Sequence, residues 1–263
     1  MSYGPHAWQQ SSWDWRAAAN FMLGGTGAGL IVAAGFVQDE THYPVMLALG
    51  LVAAGLGAVW LEIGRKLRAI HVFFNPFTSW MTRESLAAVL LFGFGVAHLA
   101  FRQPWTQFAA ALAALAFVYC QARILREAKG IPAWRAPEVM PLVLATSLAE
   151  GSGLALLFHP DSFALALFAV ALIGRVMAWS GYRAALKQPA SRAALESAGK
   201  ALVQIGTIVP LALVLGGIFV PQAAVLAGIA AIITGWRLKF VLVTRAAFNQ
   251  GFTLPQLPVR GTR

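Results

Sequence analysis

The chain has 263 residues, 59% of them apolar and 11% charged, with a mean hydropathy of +0.67. A soluble domain carries roughly 25% charged residues, so this composition excludes an ordinary globular domain and indicates several membrane-spanning helices. A net charge of +10 would suggest nucleic acid in a soluble protein; here it fits cytoplasmic loops against anionic lipid headgroups, and no nucleic-acid partner is expected. The first sixteen residues are polar and tryptophan-rich, without the short apolar core and small-residue cleavage site of a signal peptide. A helical span needs about 20 mostly apolar residues. Eight stretches qualify: 17–37, 44–64, 85–101, 105–123, 137–158, 163–180, 199–220 and 222–245, of which the third, fourth and sixth are short. Their apolar runs are continuous and do not alternate, which argues against a barrel. The expected fold is an all-α integral membrane protein, one polytopic domain over 1–263 with about eight transmembrane helices. A division into two four-helix bundles, 1–125 and 126–263, is compatible with the helix order.

Small residues recur within the spans, as in LGGTGAG of the first and ALGLVAAGLGA of the second. In lipid these let helix backbones approach, and packing outweighs a cofactor loop as the reading of Gly24 to Gly29. Eight spans put both termini on one side. That side receives Arg16, then Arg65, Lys66, Arg68 and Arg83, then Arg123, Arg126, Lys129 and Arg135, then Arg183, Lys187, Arg192 and Lys200, and finally Arg245, Arg260 and Arg263. The opposite links hold Asp39, Glu40 and Asp161 with Arg102 as the clear cation. The positive-inside rule places both termini and all long loops in the cytoplasm.

The stretch from Trp60 to Glu84, WLEIGRKLRAIHVFFNPFTSWMTRE, gathers ionisable and aromatic side chains at one membrane edge. Glu62 ends the second span, where pairing with Arg65 or Lys66 competes with a role as a protonatable group near a ligand ring. Glu84 opens the third span, where the helix dipole stabilises an acid. With Trp60, Arg65, His71 and Trp80 it forms the candidate ligand site, and Asn20, on the same side of the first span, could donate to a ligand carbonyl. Glu150 and Arg175 lie deeper, in the fifth and sixth spans. Measured from the turn near Pro160 they are offset by roughly 6 Å along the axis, so a buried ion pair between two helices is expected, with a proton path as the alternative. Arg237 and Lys239 are expected to snorkel to the nearer edge. The stretch from Arg126 to Pro141, with prolines at 132, 137 and 141, is expected to be a fixed, extended connection. The tail beyond Arg245 interleaves Phe248, Phe252 and Leu254 with polar residues, a pattern that could dock on a partner.

The single cysteine, Cys120, cannot ligate an iron–sulfur cluster or make a CxxCH haem attachment. Of the five histidines only His98 falls clearly within a span, which argues against the paired ligands of a haem-b anchor. No metal site and no catalytic residue are indicated.

The run Glu62-Ile-Gly-Arg-Lys-Leu-Arg-Ala, then Asn75-Pro76 and Ser79-Trp80-Met81-Thr82-Arg83-Glu84 opening a helix, resembles the NrfD/DmsC family of membrane anchors. The loop Glu127-Ala128-Lys129-Gly130-Ile131-Pro132-Ala133-Trp134-Arg135 and the tail Asn249-Gln250-Gly251-Phe252 are more specifically similar to membrane subunits of phenylacetyl-CoA:acceptor oxidoreductases. The resemblance implies a subunit that is non-catalytic alone. It would pass electrons from a ferredoxin-like iron–sulfur subunit, partnered with a molybdopterin or tungstopterin catalytic subunit, to ubiquinone or menaquinone. Clusters and pterin would reside only in the partners. It also implies partner docking through Arg126, Lys129, Trp134, Arg135, Asn249 and Phe252. In the dimethyl-sulfoxide-reductase anchors a histidine near the end of the second span and a glutamate opening the next are implicated in quinone binding. Glu84 matches that glutamate, and Glu62 stands in the histidine's place. The alternatives are a secondary transporter, or the anchor of a dimethyl-sulfoxide- or polysulfide-reductase-like complex. A transporter would carry polar groups near the midplane, whereas most charges here gather at one face.

Overall fold

A computed structural model describes residues 6–36, 42–64, 66–217 and 220–251. Among these residues, seven helices are long and apolar enough to cross a membrane: α1 Trp15–Ala34, α2 Tyr43–Glu62, α3 Trp80–Phe101, α4 Pro104–Glu127, α6 Ser162–Ala185, α7 Pro189–Gly217 and α8 Pro221–Arg245. Between α4 and α6 runs α5, the shorter apolar helix Val139–Ala155. The described residues contain no strand beyond an isolated antiparallel bridge between Gln9 and Phe248. The protein is an all-α integral membrane protein.

The segments flanking α1 and α8 indicate that α5 also crosses. The Trp8 amide donates to Asn249 Oδ1 at 2.8 Å, and the Asn249 amide donates to the Trp8 carbonyl at 2.9 Å. Segments preceding α1 and following α8 therefore lie on one side, which requires an even number of crossings. At a rise of about 1.5 Å per residue α5 spans roughly 25 Å, enough for a helix sheathed by its neighbours. It is indeed central, packing on α1, α4, α6 and α8. Glycine makes that possible: a methyl group on Gly29 would overlap the Ser147 carbonyl, and one on Gly151 would overlap the backbone of Gly29. These are backbone-to-backbone approaches of the small-residue kind.

The termini of the helices follow local chemistry. Ser79 Oγ caps α3 by accepting from the Thr82 amide, so that helix begins at Trp80, earlier than apolarity alone suggests. Likewise α4 continues to Glu127 and α7 starts at Pro189, where polar residues project past the apolar stretch. Asp161 caps α6 through the Ala164 amide. The connection after α4 departs from the expected extended form: Pro132–Arg135 is a helical turn, with Pro132 at the first position, where its missing N–H costs nothing. A wide π-type turn interrupts α1 at Asn20–Gly24, α7 at Gln204–Ile208, and ends α8 at Val241–Arg245. Such turns free backbone carbonyls and re-aim side chains.

Candidate functional site

The α2–α3 edge holds a cavity of about 690 Å³. Its walls include Trp60 and Ile63 from the end of α2, Ile70 and Phe73 from the 3₁₀ segment Lys66–Phe74, and Glu84 and Ala88 from α3, with Asn20 of α1 behind them. The surface is overwhelmingly apolar, and Glu84 brings a carboxyl group to it while being only 6% exposed.

Three helices fix that carboxyl group. Asn20 Nδ2 donates to Glu84 Oε1 at 2.8 Å. Gln121 Nε2, from α4, donates to the Asn20 carbonyl at 3.0 Å and is also within hydrogen-bonding reach of Glu84. The π-type turn beginning at Asn20 turns its amide toward α3. Gly24 and Gly55 leave room for it, since a methyl group on either would stand 3.1 to 3.3 Å from Asn20 Oδ1. Asn20 Oδ1 and Gln121 Oε1 are buried without a hydrogen-bond partner. Orphaned acceptors beside a cavity are costly unless a donor from a ligand, a water or a protonated acid reaches them.

Of the residues expected at this site, Asn20, Trp60 and Glu84 come together on the cavity wall. Glu62, His71 and Trp80 do not line it. Glu62 lies at the half-exposed end of α2, close enough to the Asp14–Arg16 ion pair to feel both charges. His71 is exposed; its Nδ1 donates to the Arg68 carbonyl at 3.1 Å, and its ring meets Phe74 edge-on at 5.4 Å. Trp80 meets two guanidinium groups, with Arg83 Cζ 4.1 Å and Arg123 Cζ 4.5 Å from its ring centroid. That arrangement ties the start of α3 to the end of α4. Arg65 lies outside the described residues. Gln121 is a site residue that the sequence pattern did not single out. Its signal is an amide inside LAFVYCQARIL, where lipid offers no partner and a neighbouring helix must.

The chain is similar to a curated redox protein. It is 32% identical over 139 residues to a sulfite dehydrogenase subunit of Allochromatium vinosum, a match covering 45% of this chain and 43% of that protein. The chain thus spans less than half the length of that relative. No family model matches. The similarity supports a membrane subunit of an oxidoreductase complex.

The expected Glu150–Arg175 pair is corrected by the geometry. Glu150 Oε2 accepts from Lys239 Nζ at 2.7 Å and from Thr26 Oγ1 at 2.6 Å, and Lys239 Nζ also donates to Ser147 Oγ at 3.0 Å. Trp236 Nε1 donates to Thr26 Oγ1 at 2.8 Å, closing the cluster among α1, α5 and α8. Arg175, fully buried, turns the other way. Its NH1 donates to the Ala231 carbonyl at 2.9 Å and its NH2 to the Gly206 carbonyl and to Thr207 Oγ1. The π-type turn of α7 offers Gly206 as an acceptor, so neutral carbonyls satisfy most of the guanidinium. The axial offset of Glu150 and Arg175 was compatible with pairing, and both reach α8, but Glu150 takes Lys239 there while Arg175 takes the Ala231 carbonyl, so no direct ion pair joins them. Lys239, expected to snorkel, is 2% exposed; Arg237 does reach the edge, where it donates to Ser197 Oγ at 2.7 Å.

The face beyond α4 and α8 is tied together from within. Trp134, expected to meet a partner, is 2% exposed: its Nε1 donates to the Leu242 carbonyl at 2.8 Å and its ring stacks on Trp13 at 4.8 Å. Asn249 bonds both to Trp8 and, through its carbonyl, to Gln188 Nε2 at 2.9 Å. Asn249 joins the segment before α1 to the segment after α8, and both it and Trp134 leave little of themselves for a partner, because their polar groups are satisfied internally. Lys129 and Arg135 are exposed and Arg126 half-exposed on the same face. Phe252 lies outside the described residues.

Proposed function

We propose that this chain is the quinone-reactive membrane anchor of a molybdopterin or tungstopterin oxidoreductase. It would carry electrons from a ferredoxin-like iron–sulfur subunit to ubiquinone or menaquinone. The observation that carries the reading is the apolar cavity of about 690 Å³ with the buried Glu84 carboxyl group in its wall, at the membrane edge where the charged loops gather. Reduction of a quinone consumes two electrons and two protons per ring. An apolar wall suits the ring and the first units of its tail, and a carboxyl group within the wall can deliver a proton to a carbonyl oxygen. Asn20 and Gln121 hold that carboxyl group in place. The 3₁₀ segment Lys66–Phe74 roofs the cavity with Ile70 and Phe73 while Leu67 and Phe74 face outward, so a lipid-borne substrate would enter laterally beneath it.

The partner's substrate is proposed to be phenylacetyl-CoA, on the resemblance of the loop Glu127 to Arg135. The similarity to a sulfite dehydrogenase subunit favours a second reading, a sulfur oxoanion. Assay of the isolated complex with each substrate separates the two. The quinone reading is tested with the complex bearing Glu84→Gln. Quinone-coupled turnover should fall about 100-fold, the scale of a lost general acid, while turnover with an artificial dye that bypasses the anchor stays unchanged. Glu62→Gln, off the cavity wall, should leave both rates near wild type. Undiminished quinone turnover in Glu84→Gln would place the site elsewhere.

A further inference from the structure

A second cavity, of about 400 Å³, lies at the opposite membrane edge. It is lined by Phe36 at the end of α1, His98 and Arg102 at the end of α3, and Gln107, Phe108 and Leu112 of α4. α3 lines the first cavity from Met81 to Phe92 and this one at His98 and Arg102, so their nearest lining positions are about 9 Å apart along the helix axis. The chemistry of its lining differs from that of the first cavity.

Three polar groups meet above an apolar floor. Arg102 is exposed, and no carboxylate among the described residues pairs with it. Gln107 is only 8% exposed; its Nε2 donates to the Ile31 carbonyl at 2.9 Å, and its Oε1 is buried with no partner. His98 Nδ1 stands 3.4 Å from the Gln103 carbonyl and 3.2 Å from Thr106 Oγ1, whose own proton goes to the Gln103 carbonyl at 2.6 Å. The Gln103 carbonyl can only accept, so the tautomer that bonds to it donates through Nδ1 and leaves Nε2 as an acceptor, with the His42 ring edge-on to His98 at 5.6 Å. The site therefore offers one cation and two acceptors at the interface. Below them Phe36, Phe108 and Leu112, exposed by 58, 65 and 52%, form a lipid-facing groove.

We propose that this groove binds one phosphatidylethanolamine molecule. The phosphodiester would sit on Arg102, and the primary ammonium would donate to Gln107 Oε1 and His98 Nε2. An acyl chain would lie along Phe108 and Leu112. A guanidinium matches a phosphate by charge and geometry, and an ammonium with three N–H groups satisfies the orphaned acceptors. A quaternary choline head group cannot donate, and a glycerol head group adds no positive charge. The assignment to lipid rather than free phosphate rests on the apolar floor.

The test is native mass spectrometry of the full chain in detergent, titrated with phosphatidylethanolamine, phosphatidylcholine and phosphatidylglycerol of identical acyl chains, and with a short-chain quinol. One adduct is expected, with phosphatidylethanolamine preferred at least about tenfold over the other two phospholipids and not displaced by the quinol. Arg102→Gln, an exposed position, should lose that adduct. Gln107→Leu should bring phosphatidylethanolamine and phosphatidylcholine to near equality. Equal binding of the three phospholipids to the wild-type chain, displacement by quinol, or an undiminished adduct in Arg102→Gln would each overturn the assignment, and the wild-type comparison decides even if Gln107→Leu fails to fold.

Discussion

Replacing Lys239 by methionine is expected to be among the most damaging single changes in the chain. Methionine retains most of the volume and removes the ammonium. Glu150 would then lose its contact at 2.7 Å and keep only the Thr26 hydroxyl, while its Oε1 already lacks a partner. Both side chains are 0–2% exposed, so water cannot replace the lost cation. Removing one member of a buried pair typically costs about 3–5 kcal/mol, much of it the penalty of the charge left behind. At about 2–4 °C per kcal/mol for a chain of this size, the melting temperature in detergent should fall by on the order of 10 °C. Glu150→Gln combined with Lys239→Met removes the stranded charge and should recover at least half of the loss, because the new side-chain amide oxygen can still accept from Thr26. The assay is thermal unfolding of wild type, both single variants and the double variant, treated as a double-mutant cycle. A double variant no more stable than Lys239→Met would refute the pairing argument.

Gly57 lines the first cavity with open space where a side chain would stand. Gly57→Leu should therefore fold normally yet lower quinone-coupled turnover at least about tenfold, leaving dye-coupled turnover intact; an unaltered quinone KM and kcat would show that the cavity is not used. Gly151→Ala, by contrast, forces a methyl group into the Gly29 backbone and should cost more than the roughly 1–3 kcal/mol of ordinary overpacking, read as loss of monodisperse protein in detergent.

The spans were legible because each is a long apolar run, and the charged edge because lipid tolerates ionisable groups only where they have a purpose. What one sequence cannot display is azimuth. Glu150 and Arg175 share a depth and both reach α8, yet one takes Lys239 and the other the Ala231 carbonyl, and no spacing along separate helices reveals that. Lys239 looked like a snorkelling lysine because it lies six residues from the end of α8, within side-chain reach of the edge; instead the acid on α5 holds it inside. Trp80 and Trp60 read alike, as aromatics at an edge. Only packing separates the one that meets two arginines from the one on the cavity wall. The π-type turns at Asn20–Gly24 and Gln204–Ile208 have no signature in composition, yet each places a polar group that its cluster needs. The clasp of Trp8 with Asn249 was likewise invisible, because its partners are 241 residues apart.

That clasp bears on which side the redox partners sit. The Gln250 amide donates to the Gly130 carbonyl at 3.1 Å and Gln188 donates to the Asn249 carbonyl, so the N-terminal segment, the α4–α5 and α6–α7 connections and the end of α8 form one continuous face. Arg126, Lys129, Arg135, Arg183, Lys187 and Arg245 lie on that face or at its rim, against Arg102 and Asp161 on the other. Cations retained on one side of short loops mark the side that is not translocated. The face is therefore expected to be cytoplasmic, and under the proposed function it is where an iron–sulfur subunit would dock beside the Glu84 cavity. Reporter fusions after Arg263 and at Asp161 should report cytoplasm and periplasm respectively. Charge reversal at Lys129 and Arg135 together should release the partner subunits into the soluble fraction while the anchor stays in the membrane. A periplasmic C-terminus would invert the arrangement, place the docking face outside the cell, and make a coenzyme A thioester untenable as the partner's substrate.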